Sequence, residues 1–151
     1  MRSKRNGHAV LEFAFFLPYL LFIFVGGFDW GFYSWALLTT ENAARVAVLY
    51  TSSSSTTAAD STGACHIATA EMADAPNIAA SPGISTGNGS GNSATCTAAP
   101  LVVTATAVAS GADGSPASQV SVTYTTPQLI PIPGQLTGQI AITRVVEMRV
   151  L

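Results

Sequence analysis

The chain has little charge, few histidines and only two cysteines. Charged residues make up 9% of its 151 residues, far below the roughly 25% of an ordinary soluble domain. The two histidines, His8 and His66, stand far apart, without a Ser/His/Asp set, a phosphate-binding glycine loop, clustered carboxylates or a metal motif. These shortages predict a protein that is not an enzyme and that uses no cofactor.

Basic residues are scarce beyond the N-terminus. Three of the six lie within the first five positions, as Arg2, Lys4 and Arg5, and from residue 8 onward three basic residues stand against eight acidic ones. A nucleic-acid surface needs clustered lysine and arginine, so nucleic acid is excluded as a partner. Positive flanks of membrane segments stay in the cytoplasm. We therefore expect a cytoplasmic N-terminus and a C-terminal domain in a bacterial periplasm.

An apolar run covers residues 9–28 and contains one charge, Glu12. Twenty residues are enough to span a bilayer, and Trp30, Tyr33 and Trp35 follow as aromatic residues typical of a membrane interface. A cleaved secretory signal is the alternative, but the run is long for one and no small-x-small site follows closely. We therefore predict a single-pass membrane protein.

Helical character is expected to continue beyond the membrane. Residues 37–50 have apolar positions three and four apart, and Glu41 and Arg45 stand in the favourable i,i+4 arrangement. One helix from about residue 8 to 50 would measure ~65 Å at 1.5 Å per residue. Pro18 should kink this helix or loosen one turn.

The remainder predicts a small α+β domain. Residues 51–63 indicate a loop, 65–75 a short helix ended by Pro76, and 81–92 a flexible Gly/Ser/Asn connection. Three runs of period-two alternation follow, at 101–109, 119–126 and 139–151. Together these features predict a three-stranded antiparallel sheet packed on one or two helices.

The connections between these strands differ in kind. A turn at residues 111–114 suggests a hairpin between the first two strands, whereas Pro127, Pro131 and Pro133 predict a wide, stiff loop before the third. Arg144 falls on the apolar face of the third strand. It marks a sheet edge or pairs with Glu41 or Glu71, and the sequence does not choose between these readings.

The two cysteines, Cys65 and Cys96, would face an oxidising compartment, where an even count favours a disulfide. Its closed loop of about thirty residues corresponds to roughly 3–4 kcal/mol in the chain-entropy model. Two reduced, buried thiols are the alternative. A metal site built from Cys65, His66 and Cys96 matches no zinc spacing.

Gly7 and Glu12 form the most informative pair of residues. A carboxylate within hydrocarbon costs roughly 2.5–3.5 kcal/mol, so a use for Glu12 is expected. Glycine suits the backbone flexibility that a membrane peptidase requires, and cleavage after Gly7 would free the amine of His8. In a helical assembly, Glu12 of one subunit could pair with that amine of its neighbour. A hydrated, inert carboxylate at the cytoplasmic interface is the alternative.

Gly7, four residues and then Glu12-Phe13 resemble the processing site of type IV prepilins. Together with residues 9–18, Phe28-Asp29-Trp30-Gly31 and Asn42-Ala43-Ala44-Arg45, they resemble TadE-like proteins, the pseudopilins or minor pilins of tight-adherence pilus systems. The resemblance covers residues 7–50. Asp29 departs from the pattern because the family more often has glutamate there, and His8 is an unusual first mature residue.

The resemblance implies cleavage between Gly7 and His8 by a prepilin peptidase, followed by assembly with other pilin subunits and the pilus machinery. It divides the chain into a basic leader at 1–7, an extended membrane helix at 8–50 and a periplasmic domain at 51–151. A signal-anchored binding module that stays outside any pilus is the second hypothesis.

Overall fold

The structure, a computed structural model, describes residues 6–78, 85–87, 93–98, 100–127 and 139–151. The chain divides into two compact units, Met1–Trp35 and Ala36–Leu151. The first helix, α1 (Asn6–Thr51), contributes to both units. The two units are described separately below.

The first unit consists of the N-terminal part of α1. The helix continues through Pro18 without interruption, so the expected local loosening does not end it. Proline lacks the N–H that would bond the carbonyl four residues earlier, and this turn therefore has one backbone hydrogen bond fewer. The prediction of one helix over 8–50 is confirmed.

The second unit contains an antiparallel sheet with the strand order β1-β2-β3-β4-β5. The predicted α+β class is confirmed, and the three predicted strands are present as the last three of the sheet. Two further strands precede them, so the predicted strand number was too small. The strands are β1 (Ser85–Gly87), β2 (Ser93–Ala98), β3 (Leu101–Val108), β4 (Ala117–Thr125) and β5 (Ala141–Arg149).

The two unpredicted strands consist of small residues. The segment 85–87 lies within the stretch that was predicted to be flexible, and β2 has the sequence Ser-Ala-Thr-Cys-Thr-Ala. The two faces of such a segment differ little in hydrophobicity. It therefore forms a strand because it pairs with its neighbours in the sheet. That pairing is supplied by β3, where Cys96 stands opposite Val103 and Ala98 opposite Leu101.

The core lies on one face of the sheet. Side chains alternate between faces along a strand, and the buried set on β3 and β4 pairs in register, with Val103 opposite Val122 and Ala105 opposite Val120. The short helix α2 (Ser61–Glu71) packs on β2 and β3. One stripe of the C-terminal part of α1 is also buried, consisting of Ala36, Thr40, Ala43, Ala44, Ala47, Val48 and Thr51.

Helix α2 begins four residues before the predicted helix and ends before Pro76. Its start is set by Asp60, whose carboxylate accepts hydrogen bonds from the N–H groups of Thr62 and Gly63, a capping arrangement that satisfies free donors of the first turn. At its end, the Met72 N–H bonds the carbonyl of Ala68. The predicted loop therefore extends only to residue 60.

The predicted hairpin between β3 and β4 is confirmed. The Gly111 N–H bonds the Ser115 carbonyl at 2.8 Å, and Gly114 has a φ of 79°, a conformation that glycine adopts without steric cost. A Cβ on Gly111 would lie 2.7 Å from the Cβ of Ala117, so this turn also needs a residue without a side chain. The predicted proline loop lies outside the described residues apart from Pro127.

Candidate membrane-anchoring helix and assembly residues

The first part of α1 is apolar on all sides. Its large side chains are exposed within the chain, with Phe15 at 84% and Phe24 at 73% relative accessibility. The helix is long and apolar enough to cross a membrane. An isolated helix with no polar face has no favourable contact with water, so lipid or other apolar helices must cover it. The other exposed residues of this kind are Val10, Leu11, Phe13, Phe16, Leu17, Tyr19, Leu20, Leu21, Phe22, Ile23 and Phe28.

Glu12 is an exposed carboxylate within this apolar surface. Its sequence neighbours Phe13, Phe15 and Phe16 are all more than half exposed. Among the residues that the structure describes, none forms an ion pair with Glu12. The carboxylate is therefore available to a partner from outside the described chain.

The predicted processing residues Gly7 and His8 lie in the first turn of α1, because the helix begins at Asn6. His8 and Glu12 are four residues apart in sequence and are therefore about one turn apart along α1. The basic residues 1–5 lie outside the described part of the chain.

The three predicted interface aromatics lie at the end of the first unit. Trp30 is 72% exposed, Trp35 is 38% exposed and Tyr33 is partly buried. The ring centroids of Trp30 and Tyr33 are 6.1 Å apart, and Phe32 and Trp35 form a second ring contact at 5.7 Å. Amphipathic rings of this kind favour the lipid–water boundary.

In the second unit, the last turn of α1 is joined to the sheet by buried hydrogen bonds. The Ser118 hydroxyl lies 2.8 Å from the Thr51 hydroxyl and donates to the Ala58 carbonyl at 2.8 Å. The Tyr50 hydroxyl donates to the carboxylate of Asp60 at 2.7 Å. The end of α1, the start of α2 and strand β4 are therefore held together by four polar side chains.

Sequence reasoning did not identify this polar cluster, although Asp60 carried a signal. An aspartate directly before a helix-forming segment is typical of a helix N-cap. The Gly63 N–H is the main cause that holds the pKa of Asp60 below its usual range, and the Tyr50 hydroxyl and the Thr62 N–H contribute in the same direction against partial burial. The carboxylate is therefore the favoured form at this position.

Cys65 and Cys96 form a disulfide between α2 and β2. Their Cα atoms are 6.1 Å apart, the cysteines are 31 positions apart in sequence, and both residues are fully buried. This confirms the predicted bond. Because each sulfur is bonded to the other, neither is available as a thiolate ligand, and the metal site with His66 is excluded in this state.

The alternatives for Arg144 are resolved in favour of the sheet edge. Glu41 pairs with Arg45, as the i,i+4 spacing predicted, and no ion pair joins Arg144 to either Glu41 or Glu71 among the described residues. In the described sheet, β5 pairs on one side only, with β4. Arg144 stands opposite Val122 on the face that carries the helices.

The apolar helix and the small α+β unit that follows it define a membrane-anchored protein with one disulfide-closed domain. The family model described as TadE-like protein matches residues 7–49, which begin at the predicted processing glycine and include Glu12 and most of α1. No curated protein and no solved structure matches the chain. Residues 7–49 are thus a TadE-like segment, which associates the chain with tight-adherence pilus systems.

Proposed function

We propose that the chain is a minor pilin or pseudopilin, a structural subunit that helps to assemble a tight-adherence pilus. One observation carries this proposal: the TadE-like match over residues 7–49 coincides with α1, whose N-terminal part exposes large apolar side chains. A structural subunit requires such a surface because it must first reside in lipid and then pack against other helices. The role is one of assembly and not of catalysis.

In this function, a prepilin peptidase cleaves between Gly7 and His8. The cleavage removes a leader at 1–7 and leaves a membrane and extended helix at 8–50 and an outer domain at 51–151. The basic residues of the leader favour a cytoplasmic N-terminus in the inner membrane. Trp30, Tyr33 and Trp35 would lie at the outer boundary of the membrane, and the disulfide of the following domain suits the oxidising periplasm.

Glu12 supplies the assembly contact of the mature chain. Its carboxylate lies in an apolar surface and has no ion-pair partner among the described residues. The freed amine of His8 in a neighbouring subunit is a cation that could lie beside this carboxylate, because it is about one helical turn away along the helix axis. A charge pair in an apolar setting is costly to break because each partner is left unpaired, so this contact would set the register between adjacent helices.

Intact mass and N-terminal sequencing of the chain purified from bacterial membranes test the proposal. A mature chain that starts at His8 supports it, and Gly7→Leu should block the cleavage. A chain that starts at Met1 or Arg2 contradicts it and favours a signal-anchored binding module. A start after about residue 27 would instead show ordinary signal cleavage and a released domain.

A second experiment tests Glu12. We expect Glu12→Ala to leave membrane insertion intact and to lower co-assembly with the other pilus subunits, because the amine of the neighbour loses its partner. Asp29→Ala serves as the control, since it removes the other carboxylate of the first unit. Co-purification with the other subunits and resistance to alkaline extraction measure the two properties separately. Normal incorporation of Glu12→Ala would count against the charge pair.

A further inference from the structure

Within the described part of the chain, strand β5 has an unpaired edge, a buried donor without a partner and exposed apolar side chains. In the described sheet it has a neighbour on one side only. The Nε atom of Arg144 is buried and has no hydrogen-bond partner among the described residues. Val145 is 55% exposed and Met148 is 37% exposed. A buried donor without a partner costs free energy, so the position of Arg144 calls for an explanation.

Among the described residues, no carboxylate forms an ion pair with Arg144. All eight acidic residues lie within the described ranges, where Glu41 forms an ion pair with Arg45. The segments outside those ranges contain no aspartate or glutamate. The acidic residues are Glu12, Asp29, Glu41, Asp60, Glu71, Asp74, Asp113 and Glu147.

Burial of the side chains on the inner face decreases along β5. Ile142, Arg144, Val146 and Met148 share one face because side chains alternate along a strand. Ile142 is only 3% exposed, Arg144 and Val146 are partly buried and Met148 is 37% exposed. The guanidinium of Arg144 therefore lies at the border of the core, where a segment that joins the sheet could reach it.

We propose that the free edge of β5 is a docking site for an extended, carboxylate-bearing segment of another protein subunit, with Arg144 as the residue that determines specificity. Main-chain hydrogen bonds to the edge provide affinity in such strand addition. The Nε–H group needs an oxygen acceptor, and a segment that places a carboxylate beside the guanidinium would supply that acceptor and neutralise the charge. A segment with apolar residues alone would bury the cation without a partner, and it would be rejected.

The same charge excludes pairing between the β5 edges of two copies of this chain. The one acid of β5, Glu147, lies on the opposite face from Arg144, because their positions differ by an odd number. Glu147 is also engaged with the Ala112 N–H at 2.9 Å. In a two-fold antiparallel pair of β5 strands, Arg144 would therefore face apolar residues or a second Arg144. An inward charge on an edge strand is a known protection against such pairing.

A pair of synthetic peptides tests the proposal with the full chain in detergent micelles. Both peptides have nine residues, as β5 does, alternate valine with threonine and have blocked ends. One carries a central glutamate and the other a central glutamine. We expect the glutamate peptide to bind at least roughly tenfold more tightly, because hydrogen bonds to charged groups are the stronger ones. Fluorescence anisotropy measures the binding, and the Nε–H resonance of Arg144 should shift with the glutamate peptide alone.

Two variants complete the test. Arg144→Met should retain or raise the melting temperature, because an apolar side chain replaces an unpaired buried group, and it should lose the preference for the glutamate peptide. Arg149→Met removes the same charge from the exposed face of the same strand, and the preference should persist. Equal binding of both peptides to the unmodified chain would overturn the proposal and leave Arg144 as an edge protection only. A large fall in the melting temperature of Arg144→Met would overturn it too, since it would reveal a partner within the chain.

Discussion

At the scale of single residues, Tyr124 connects the sheet to the segment that follows α2. Its ring is fully buried, and its hydroxyl donates to the Pro76 carbonyl at 2.9 Å and contacts the Asn77 side-chain oxygen at 3.1 Å. Burial raises the pKa of Tyr124, so the hydroxyl remains protonated and a donor at neutral pH. Asn77 has a φ of 62° and donates in turn to the Thr125 carbonyl. The Tyr124 hydroxyl therefore ties this turn to the sheet, in addition to the turn's own bond from the Ile78 N–H to the Ala75 carbonyl.

We expect Tyr124→Phe to lower the free energy of unfolding of the second unit by about 1–3 kcal/mol, because the Pro76 carbonyl loses its donor in a partly buried position. Urea unfolding of the full chain in detergent, followed by the circular dichroism of the sheet, measures the change. Tyr19→Phe is the matched control, since that tyrosine is 61% exposed and belongs to the first unit. Equal stability of Tyr124→Phe and the unmodified chain would contradict the assigned role.

Asp60 makes stability depend on pH in the acid range. The pKa of its carboxyl is lower in the folded state than the ordinary value of 3.8, chiefly because the Gly63 N–H donates to it. The folded state thus favours the carboxylate. The contribution of Asp60 is complete above about pH 3.8 and is lost as the pH falls through the folded-state pKa.

Two substitutions separate the cap from the charge of Asp60. Asp60→Ala should cost about 0.5–2 kcal/mol at neutral pH because the first turn of α2 loses its acceptor. Asp60→Asn should nearly preserve stability there, since asparagine caps helices about as well, but the loss of stability between pH 4 and pH 2 should become shallower. Melting temperatures across that range provide the measurement. An unchanged acid profile for Asp60→Asn would show that another carboxyl governs the transition.

At the scale of secondary structure elements, the disulfide joins α2 to β2, a strand with few apolar residues. We expect Cys65→Ser with Cys96→Ser to lower the free energy of unfolding by about 3–4 kcal/mol, because the closed loop of roughly thirty residues is released in the unfolded chain. Thermal unfolding with and without reductant should show the same decrease in the unmodified chain and no effect of reductant on the double variant. A decrease below about 1 kcal/mol would show that β2 is held by its pairing with β3 alone.

The elements that could be predicted from the sequence are those in which apolar and polar residues differ clearly between the two faces or along a long run. Strands β3, β4 and β5 were predicted because valine, isoleucine and tyrosine alternate with threonine and serine, and α1 because its apolar run is long. Strands β1 and β2 were missed because alanine, serine, threonine and glycine distinguish the two faces of a strand poorly, although each pairs with the strand that follows it in sequence. The start of α2 was placed too late because its first turn is set by the Asp60 side chain and not by apolar period.

Some residues of the candidate site could also be predicted from the sequence, and others could not. Gly7, Glu12 and the aromatic residues could be named from their spacing, since all lie on one continuous helix. The unpaired Nε–H donor of Arg144 could not be predicted from the sequence. Its lack of a partner is visible only when the acidic residues have been located in the structure. The cluster of Tyr50, Asp60 and Ser118 joins three elements, and no local pattern links residues that far apart in sequence.

At the scale of the whole molecule, the two units differ in which side chains they expose. In the first unit, large apolar side chains are exposed on every side of α1. In the second, α1 exposes its other face but buries a stripe of mainly alanine and threonine. The same helix therefore has a lipid-compatible part and a core-forming part. The boundary between them is given by residue composition, because α1 itself is uninterrupted from Asn6 to Thr51.

This division predicts that a leucine-to-arginine substitution lowers membrane retention in the first part of α1 and leaves it unchanged in the second. Leu20→Arg places a charge near the middle of the predicted span, where insertion should become less favourable by roughly 2.5–3.5 kcal/mol, and most of the chain should leave the alkali-resistant membrane fraction. Leu38→Arg changes a residue that is 64% exposed in the second unit, and membrane retention should be unchanged because that position would already face water. The fraction of chain that sediments with membranes after alkaline extraction measures both variants. Equal retention of the two would mean that the apolar part of α1 is covered by protein and not by lipid.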